Sequence, residues 1–153
     1  ALARYLNFYF NLIFKEVKFI NTTSTSEMFE QLLHLDEKDI FIGISFPRYS
    51  TRTIKAAMFA KSRGAKVVAI TDSSTSPLTK QSDYNLLARS DMASFVDSLV
   101  APMSLVNALI VAVGLRKSSE ISQTFESLEK IWDEYDVYAK SNEFNSSNNI
   151  CED

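Results

Sequence analysis

The chain is short of the residue types that build disulfide frameworks, thiolate metal sites and histidine chemistry. Among its 153 residues it has one cysteine and one histidine. The lone Cys151 excludes a disulfide framework and a cysteine-rich metal site, and it agrees with a reducing environment. We therefore expect a cytoplasmic protein that carries no metal and no cofactor.

Long apolar runs and an excess of positive charge are lacking as well. The longest apolar stretches are broken by polar residues or by Pro102, which predicts that no segment spans a membrane. The net charge of −3 argues against this chain gripping nucleic acid or an anionic membrane by itself. No signal peptide is visible, but the chain begins with Ala1 rather than Met, so we expect a piece of a longer protein.

What is present is the composition of an ordinary globular domain, with 46% hydrophobic and 23% charged residues. Helical and strand-like apolar patterns alternate along it. The predicted helices are 1–14, one that begins after Ser24, 50–63, a short one at Pro77, one from Ser94, and 118–139; the predicted strands are 16–21, 40–44, 66–71 and 84–87. This alternation predicts an α/β fold with a mostly parallel sheet, right-handed crossovers and helices on both faces.

Local signals mark several helix ends. Ser24, with a glutamate three residues later, forms a capping-box pattern, and Gly64 fits the left-handed position just past a helix end. The long apolar helix from Ser94 is expected to carry Asp97 in its first turn and to bend at Pro102. Its apolar residues cover too wide an arc for one surface face. It is therefore either buried in the domain or shared with a second subunit.

The final predicted helix, 118–139, has a different character. Its apolar residues follow a heptad stripe, namely Ile121, Phe125, Leu128, Trp132 and Tyr135. We favour a helix that docks on its own domain over a coiled-coil contact. The polar, Asn- and Ser-rich segment 140–153 is expected to be a disordered tail, so the folded domain is predicted to span 1–139.

The stretch 39–53, DIFIGISFPRYSTRT, combines a strand end, a tight loop and a helix start. The helix that opens at Ser50 or Thr51 offers free backbone N–H groups and the positive end of a dipole. The loop adds hydroxyls and the fixed charge of Arg48, a combination that predicts an anion site suited to phosphate. The candidate ligands are Ser45, Arg48, Tyr49, Ser50 and Thr51. The alternative is that Ser50 only caps the helix and Arg48 is only solvated.

A second hydroxyl-rich loop, 73–76, follows the strand that ends at Thr71 and Asp72. In parallel α/β sheets, ligands bind beyond the carboxyl ends of the strands, near the point where the strand order reverses. Both loops lie at such ends, which favours the ligand-site interpretation.

The segment ISFPRYSTRTIKAAMFAKSRGAKVVAITDSSTSPL is similar to the sugar isomerase (SIS) domain. The stretches FPRYS, AKSRGAKVVAITD and DMASFVDSLVAP resemble the effector domain of RpiR-type bacterial transcriptional regulators, and the resemblance runs from about Ala1 to Tyr138. It implies a three-layer α/β/α sandwich of SIS type, which is flavodoxin-like, around a parallel sheet of five strands. It also implies binding of phosphorylated sugars by a domain that follows an N-terminal helix-turn-helix domain.

This chain departs from the family pattern in two respects. The family loop reads Ser, any residue, Ser, Gly, any residue, Thr; here Ser45 matches the first Ser, Pro47 replaces the second, Arg48 replaces the Gly and Ser50 takes the place of the Thr. We infer that the charge of Arg48 compensates for the lost hydroxyl. The family also has a strand before the first helix, placed between the strands at 16 and 40. Either that strand has been cut away or the remaining strands pair directly; we expect a cut, together with the loss of half the phosphate site.

Three functions remain open on these residues. The first is a sugar-phosphate-sensing effector domain of a regulator of carbohydrate metabolism, acting as a homodimer or higher homo-oligomer and reaching DNA only through an absent helix-turn-helix domain. The second is an aldose–ketose phosphate isomerase, which needs a base. His34 is expected at the wrong end of the sheet, and Asp72, the nearest carboxylate, can equally hold sugar hydroxyls, so we name no catalytic residue. The third is a degenerate dimerisation domain.

Overall fold

The computed structural model describes residues 1–90 and 97–138. Five helices, three strands and one 3₁₀ turn follow one another in these parts of the chain. In order they are α1 (Leu2–Ile13), α2 (Thr25–Leu32), β1 (Ile40–Ile44), α3 (Thr51–Ser62), β2 (Lys66–Thr71), the 3₁₀ turn (Thr79–Gln81), β3 (Tyr84–Leu87), α4 (Val100–Arg116) and α5 (Ser118–Glu134).

The three strands form one parallel sheet in the order β1-β2-β3. Because side chains alternate along a strand, β2 supplies both faces of the sheet. Ile70 packs with α1 and α4 on one face, while Val67 and Ala69 pack with the alanines of α3 on the other. Helix α2 covers α3 through Met28 and Leu32. The predicted three-layer α/β/α sandwich with a parallel sheet is therefore confirmed.

The predicted strand at 16–21 is wrong, because this segment pairs with no strand among the described residues. A strand requires a hydrogen-bonded neighbour, and apolar content alone does not supply one. Val17 packs against the cluster of α1 and α4, whereas Ile20 packs against the cluster of α2 and α3. The segment thus connects the two faces of the sheet. Of the five strands that the family resemblance implies, the described residues contain three, with β1 at an edge.

The long apolar helix begins later than the sequence predicts. Ser94 lies outside the described residues, and Asp97 to Leu99 are not helical; α4 begins at Val100. Pro102 is the third residue of α4 and is fully buried. In the first turn a backbone N–H has no acceptor within the helix, so a proline is tolerated there and does not bend the helix. Asp97 therefore lies before the helix, where its carboxylate can contact residues of other segments.

Helix α5 lies against α1 and α4, after a bend of 97° between α4 and α5. Tyr9, Leu12, Ile121 and Phe125 line an apolar groove between these helices. The contact agrees with a helix that docks on its own domain, although Phe125 remains 41% exposed. The helix ends at Glu134, before the predicted limit, and the predicted tail 140–153 lies outside the described residues.

No single helix in the described part of the chain is long and apolar enough to cross a bilayer. Helices α4 and α5 meet the length and composition only when they are taken together as a bent pair.

Candidate functional site

The candidate site lies where β1 ends and α3 begins. Ser45 directly follows β1, and its backbone N–H donates to the carbonyl of Ile70 on β2, at 3.1 Å. This bond extends the parallel ladder by one residue and brings the loop 45–50 beside the loop that follows Thr71. The two hydroxyl-rich loops therefore lie side by side at the carboxyl end of the sheet, as the sequence predicts.

Ser45 and Ser50 shape the loop from inside. The Ser45 side chain is buried, and its Oγ accepts a hydrogen bond from the backbone N–H of Ser50, at 3.0 Å. The Oγ of Ser50 in turn accepts from the backbone N–H of Thr53, at 3.3 Å, so Ser50 is the N-cap of α3. Both hydroxyls fix the path of the backbone here. A direct contact with a ligand remains a prediction for each of them.

Other backbone N–H groups at this end of α3 have no acceptor in the part of the chain that the structure describes. Within the described residues, the N–H groups of Tyr49, Thr51 and Arg52 form no hydrogen bond to the protein, and the Thr51 hydroxyl is exposed. Free N–H groups at a helix start carry the partial positive charge of the helix dipole. This arrangement is the one that binds phosphate and other anions at helix N-termini.

Arg48 has a strained backbone and a paired side chain. Its φ angle is +70°, in the left-handed region that glycine adopts without cost, and the family pattern has glycine at this position. A residue with a Cβ atom pays about 1 kcal/mol or more for this conformation. The guanidinium group donates to the Asp97 carboxylate, with Nη2 and Oδ2 2.5 Å apart. Arg48 is therefore not merely solvated.

A second polar network joins the two loops. The Tyr49 hydroxyl donates to Asp72, which follows β2, with its oxygen 3.0 Å from Oδ1 and 3.2 Å from Oδ2. The Thr71 hydroxyl lies 3.1 Å from Asp72 Oδ1 and 2.9 Å from the buried Ser76 Oγ. Burial, and then the hydrogen bond and negative charge of Asp72, raise the pKa of the Tyr49 hydroxyl. The side chains of Tyr49 and Asp72 are thus hydrogen-bonded to each other, and neither is without a partner.

The structure places the one histidine far from this site. His34 is exposed in the turn between α2 and β1, at the amino end of the strands, as the sequence predicts. Among residues 1–90 and 97–138 there is no group of three or more His, Cys, Asp or Glu side chains arranged to hold a metal ion. The polar groups at the candidate site are hydroxyls, backbone amides, the carboxylates of Asp72 and Asp97 and the guanidinium group of Arg48; the guanidinium group of Arg52 donates to the Thr22 carbonyl, at 3.0 Å.

Sequence reasoning missed Asp97 as a member of the site. It lies 49 residues after Arg48, and the sequence predicts it in a helix turn, where its role is to face the helix dipole. Only the late start of α4 leaves Asp97 in an extended segment beside the loop. No local pattern marks such a pair in the sequence.

A parallel α/β sandwich with a hydroxyl-rich loop at the carboxyl end of β1 is the architecture that the resemblance to the SIS domain implies. The family model of the SIS domain matches residues 1–112. The chain belongs to the SIS domain family.

Relatives and solved structures confirm the resemblance to RpiR-type regulators. The RpiR transcription factor of Sphaerobacter thermophilus (sugar isomerase domain) superposes with a TM-score of 0.78 at 26% identity, over 84% of this chain and 72% of that chain. The Vibrio vulnificus NanR protein complexed with ManNAc-6P has the same fold, with a TM-score of 0.70 at 20% identity, over 91% of this chain and 52% of that chain.

Similarity in sequence points to regulators as well. An uncharacterized HTH-type transcriptional regulator of Caldanaerobacter subterraneus is 26% identical over 103 residues, which are 65% of this chain and 36% of that protein. An uncharacterized HTH-type regulator of Haemophilus influenzae is 40% identical over 60 residues, which are 39% of this chain and 21% of that protein. The chain thus matches about a third or less of the length of these relatives.

Proposed function

We propose that this chain is the sugar-phosphate-sensing effector domain of a cytoplasmic transcriptional regulator of carbohydrate metabolism. The observation that carries the proposal is the set of backbone N–H groups at the start of α3 that have no acceptor among the described residues, in the same loop as Arg48. Family membership and the HTH-type regulators among its relatives support the regulatory role. DNA contact would come from a separate helix-turn-helix domain of the complete protein.

The phosphate group sits against the start of α3. The N–H groups of Tyr49, Thr51 and Arg52 and the Thr51 hydroxyl supply neutral donors, and Arg48 supplies charge and a bidentate fork. Ser45 and Ser50 position these donors through the hydrogen bonds that shape the loop. NanR, whose structure holds ManNAc-6P, has the same fold and supports a phosphosugar as the ligand class.

The sugar part of the ligand extends towards the loop that follows β2. Asp72 lies there, and a carboxylate that already accepts from Tyr49 keeps further lone pairs for sugar hydroxyls. The hydroxyls of Ser73 and Thr75, which are hydrogen-bonded to each other at 2.9 Å, lie farther along the same loop. These groups make neutral or charge-assisted hydrogen bonds, which suit a polyhydroxylated ligand.

An aldose–ketose phosphate isomerase is the second candidate. The observation that favours it is the same fold in a putative sugar-phosphate isomerase of Listeria monocytogenes, with a TM-score of 0.63 at 21% identity. Isomerisation needs a base that can take a proton from the sugar carbon. Among the described residues, Asp72 is the carboxylate closest to that task, and it is held by Tyr49. We therefore rank binding without turnover first.

The domain acts as a homodimer through the outer face of α4. Helix α4 contains no charged residue between Val100 and Leu115, yet Val111 is 58% and Leu115 74% exposed. A long uncharged helix face exposed to water is typical of an interface between subunits. A degenerate domain kept only for dimerisation would retain this face and bind no ligand.

Calorimetric titration of the complete protein tests the proposal. ManNAc-6P, glucose 6-phosphate and ribose 5-phosphate serve as probes, with inorganic phosphate for comparison, and each mixture is analysed for isomerised sugar. Saturable binding of one phosphosugar without turnover is the expected result. Turnover would establish the isomerase, and the absence of both binding and turnover would leave the dimerisation domain.

A further inference from the structure

The carboxylate of Asp97 occupies the guanidinium group of Arg48 in the structure. Both side chains are solvent-accessible, with 79% of the Arg48 side chain and 40% of the Asp97 side chain exposed. An ion pair of this kind is weak because water screens it and two long side chains must be ordered. Arg48 is therefore paired, but its partner is easily replaced by a stronger one.

A phosphate group is such a stronger partner. It carries more charge than a carboxylate, and arginine can bind it with two parallel hydrogen bonds. In the structure, Arg48 is paired with the Asp97 carboxylate, and a second carboxylate, Asp72, lies in the neighbouring loop. An incoming phosphate is attracted by Arg48 and repelled by Asp97. Binding thus favours separation of Asp97 from Arg48.

Resting on the proposed function, we propose that Asp97 is an internal competitor for Arg48, which the ligand's phosphate displaces when it binds. The carboxylate pairs with the guanidinium group and lowers the affinity for phosphate. Asp97 is in this sense a positioning residue, since it acts on the ligand through Arg48.

Displacement of Asp97 should also affect the start of α4. The segment 97–99 leads directly into that helix, and its Leu99 carbonyl accepts from the N–H of Met103 in the first turn, at 2.9 Å. Among the described residues, two hydrogen bonds that involve a side chain reach this segment. One joins Arg48 to Asp97, and the other runs from the Ser90 hydroxyl to the Ser98 carbonyl, at 3.1 Å. A bound phosphate removes the first of these contacts. Occupancy of the site is thereby communicated to the start of the proposed dimer helix.

The test compares the complete wild-type protein with Asp97→Asn, with ManNAc-6P and inorganic phosphate as probes. The amide removes the competing charge but keeps the size of the side chain, so the affinity should rise about 1.5- to five-fold, which is the range of free energies measured for exposed ion pairs. Asp133→Asn, an exposed aspartate on α5, makes the same change in net charge away from the site and should leave the affinity unchanged. In an Arg48→Gln background, the gain from Asp97→Asn should shrink.

Hydrogen exchange supplies a second readout that a merely structural aspartate would not give. Ligand should accelerate exchange of the Met103 amide in the wild type, while in Asp97→Asn this amide should exchange fast with and without ligand. Equal or weaker binding by a folded Asp97→Asn variant would overturn the inference while leaving the proposed function intact. If the wild type bound none of the probes, the proposed function would fail and the inference with it.

Discussion

The hydroxyl group of Tyr49 donates hydrogen bonds to both carboxylate oxygens of Asp72, at 3.0 and 3.2 Å. Tyr49 lies in the loop after β1, and Asp72 lies at the end of β2, so the pair joins the two loops that make up the candidate site. The bond is partly buried, and the Thr71 hydroxyl reaches the same carboxylate. A site held in this way keeps its shape when no ligand is present, which lowers the entropy cost of binding.

Replacement of Tyr49 by phenylalanine should loosen this connection. The variant removes a donor to a charged, half-buried acceptor, so the free energy of unfolding at neutral pH should fall by about 1–2 kcal/mol. Urea denaturation measures the change. Tyr84→Phe is the matched control, because Tyr84 is an exposed tyrosine on β3, and it should leave the stability unchanged. Equal stabilities of Tyr49→Phe and the wild type would mean that the bond adds nothing.

The same variant should change the dependence of stability on alkaline pH. Burial and the adjacent Asp72 raise the pKa of Tyr49 above its ordinary value of 10.0. The unfolded chain then loses this proton at a lower pH than the folded chain. The stabilisation is therefore complete below about pH 10 and is lost as the pH rises through the folded pKa. Between about pH 9 and pH 11, the free energy of unfolding should decrease less steeply in Tyr49→Phe than in the wild type.

The backbone strain at Arg48 is tested by two substitutions that both remove its charge. Arg48→Gly relieves the left-handed conformation with φ of +70°, whereas Arg48→Ala retains a Cβ atom and the strain. The glycine variant should be the more stable by about 1 kcal/mol, measured as the difference between their unfolding free energies. Both should bind phosphosugars more weakly than the wild type, and by similar amounts, because both lack the guanidinium group. A less stable glycine variant would contradict the strain.

The helices and paired strands were predictable because their signals are local. The apolar runs 40–44 and 66–71 became β1 and β2, and Gly64 adopts a φ of +86° past the end of α3, as predicted. Ser24 caps α2 as predicted, although the Glu27 carboxylate binds Thr22 instead of completing the capping box. The prediction of a strand at 16–21 was wrong because a strand needs a neighbouring strand to pair with. The residues of the segment itself do not determine whether such a neighbour is present.

The position of the candidate site was predictable from the sequence, but the hydrogen bonds between its side chains were not. Strand ends, hydroxyls and a helix start locate the loop 45–51, because each of these is visible in the chain order. The partners of Arg48 and Tyr49 are separated from them by 49 and 23 residues, and no periodicity connects such pairs. Which polar groups remain free for a ligand therefore depends on the tertiary structure.

The cap at the start of α3 should contribute both to stability and to ligand binding. Ser50→Ala removes the acceptor for the Thr53 N–H and should lower the free energy of unfolding by about 1 kcal/mol. It should also weaken phosphosugar binding in calorimetry, because the neighbouring N–H groups lose their fixed orientation. Ser62→Ala, at the other end of α3, also loses a hydrogen bond, from its hydroxyl to the Phe59 carbonyl, but should not change the affinity. Unchanged affinity in Ser50→Ala would show that the loop at the start of α3 does not belong to the binding site.

A glutamate introduced on the buried face of α4 should unfold the domain, whereas one introduced on its exposed face should affect only the proposed dimer. Ile110 belongs to the core cluster with α1, so Ile110→Glu should unfold the domain. Leu115 is 74% exposed within the single chain, so Leu115→Glu should leave the melting temperature of the monomer unchanged but dissociate the proposed dimer. Sedimentation velocity with parallel thermal unfolding separates these effects. Lys55→Glu, on the exposed side of α3 in the opposite layer, is the control and should remain dimeric. A Leu115→Glu variant that sediments as the wild-type dimer would exclude this end of α4 from the interface.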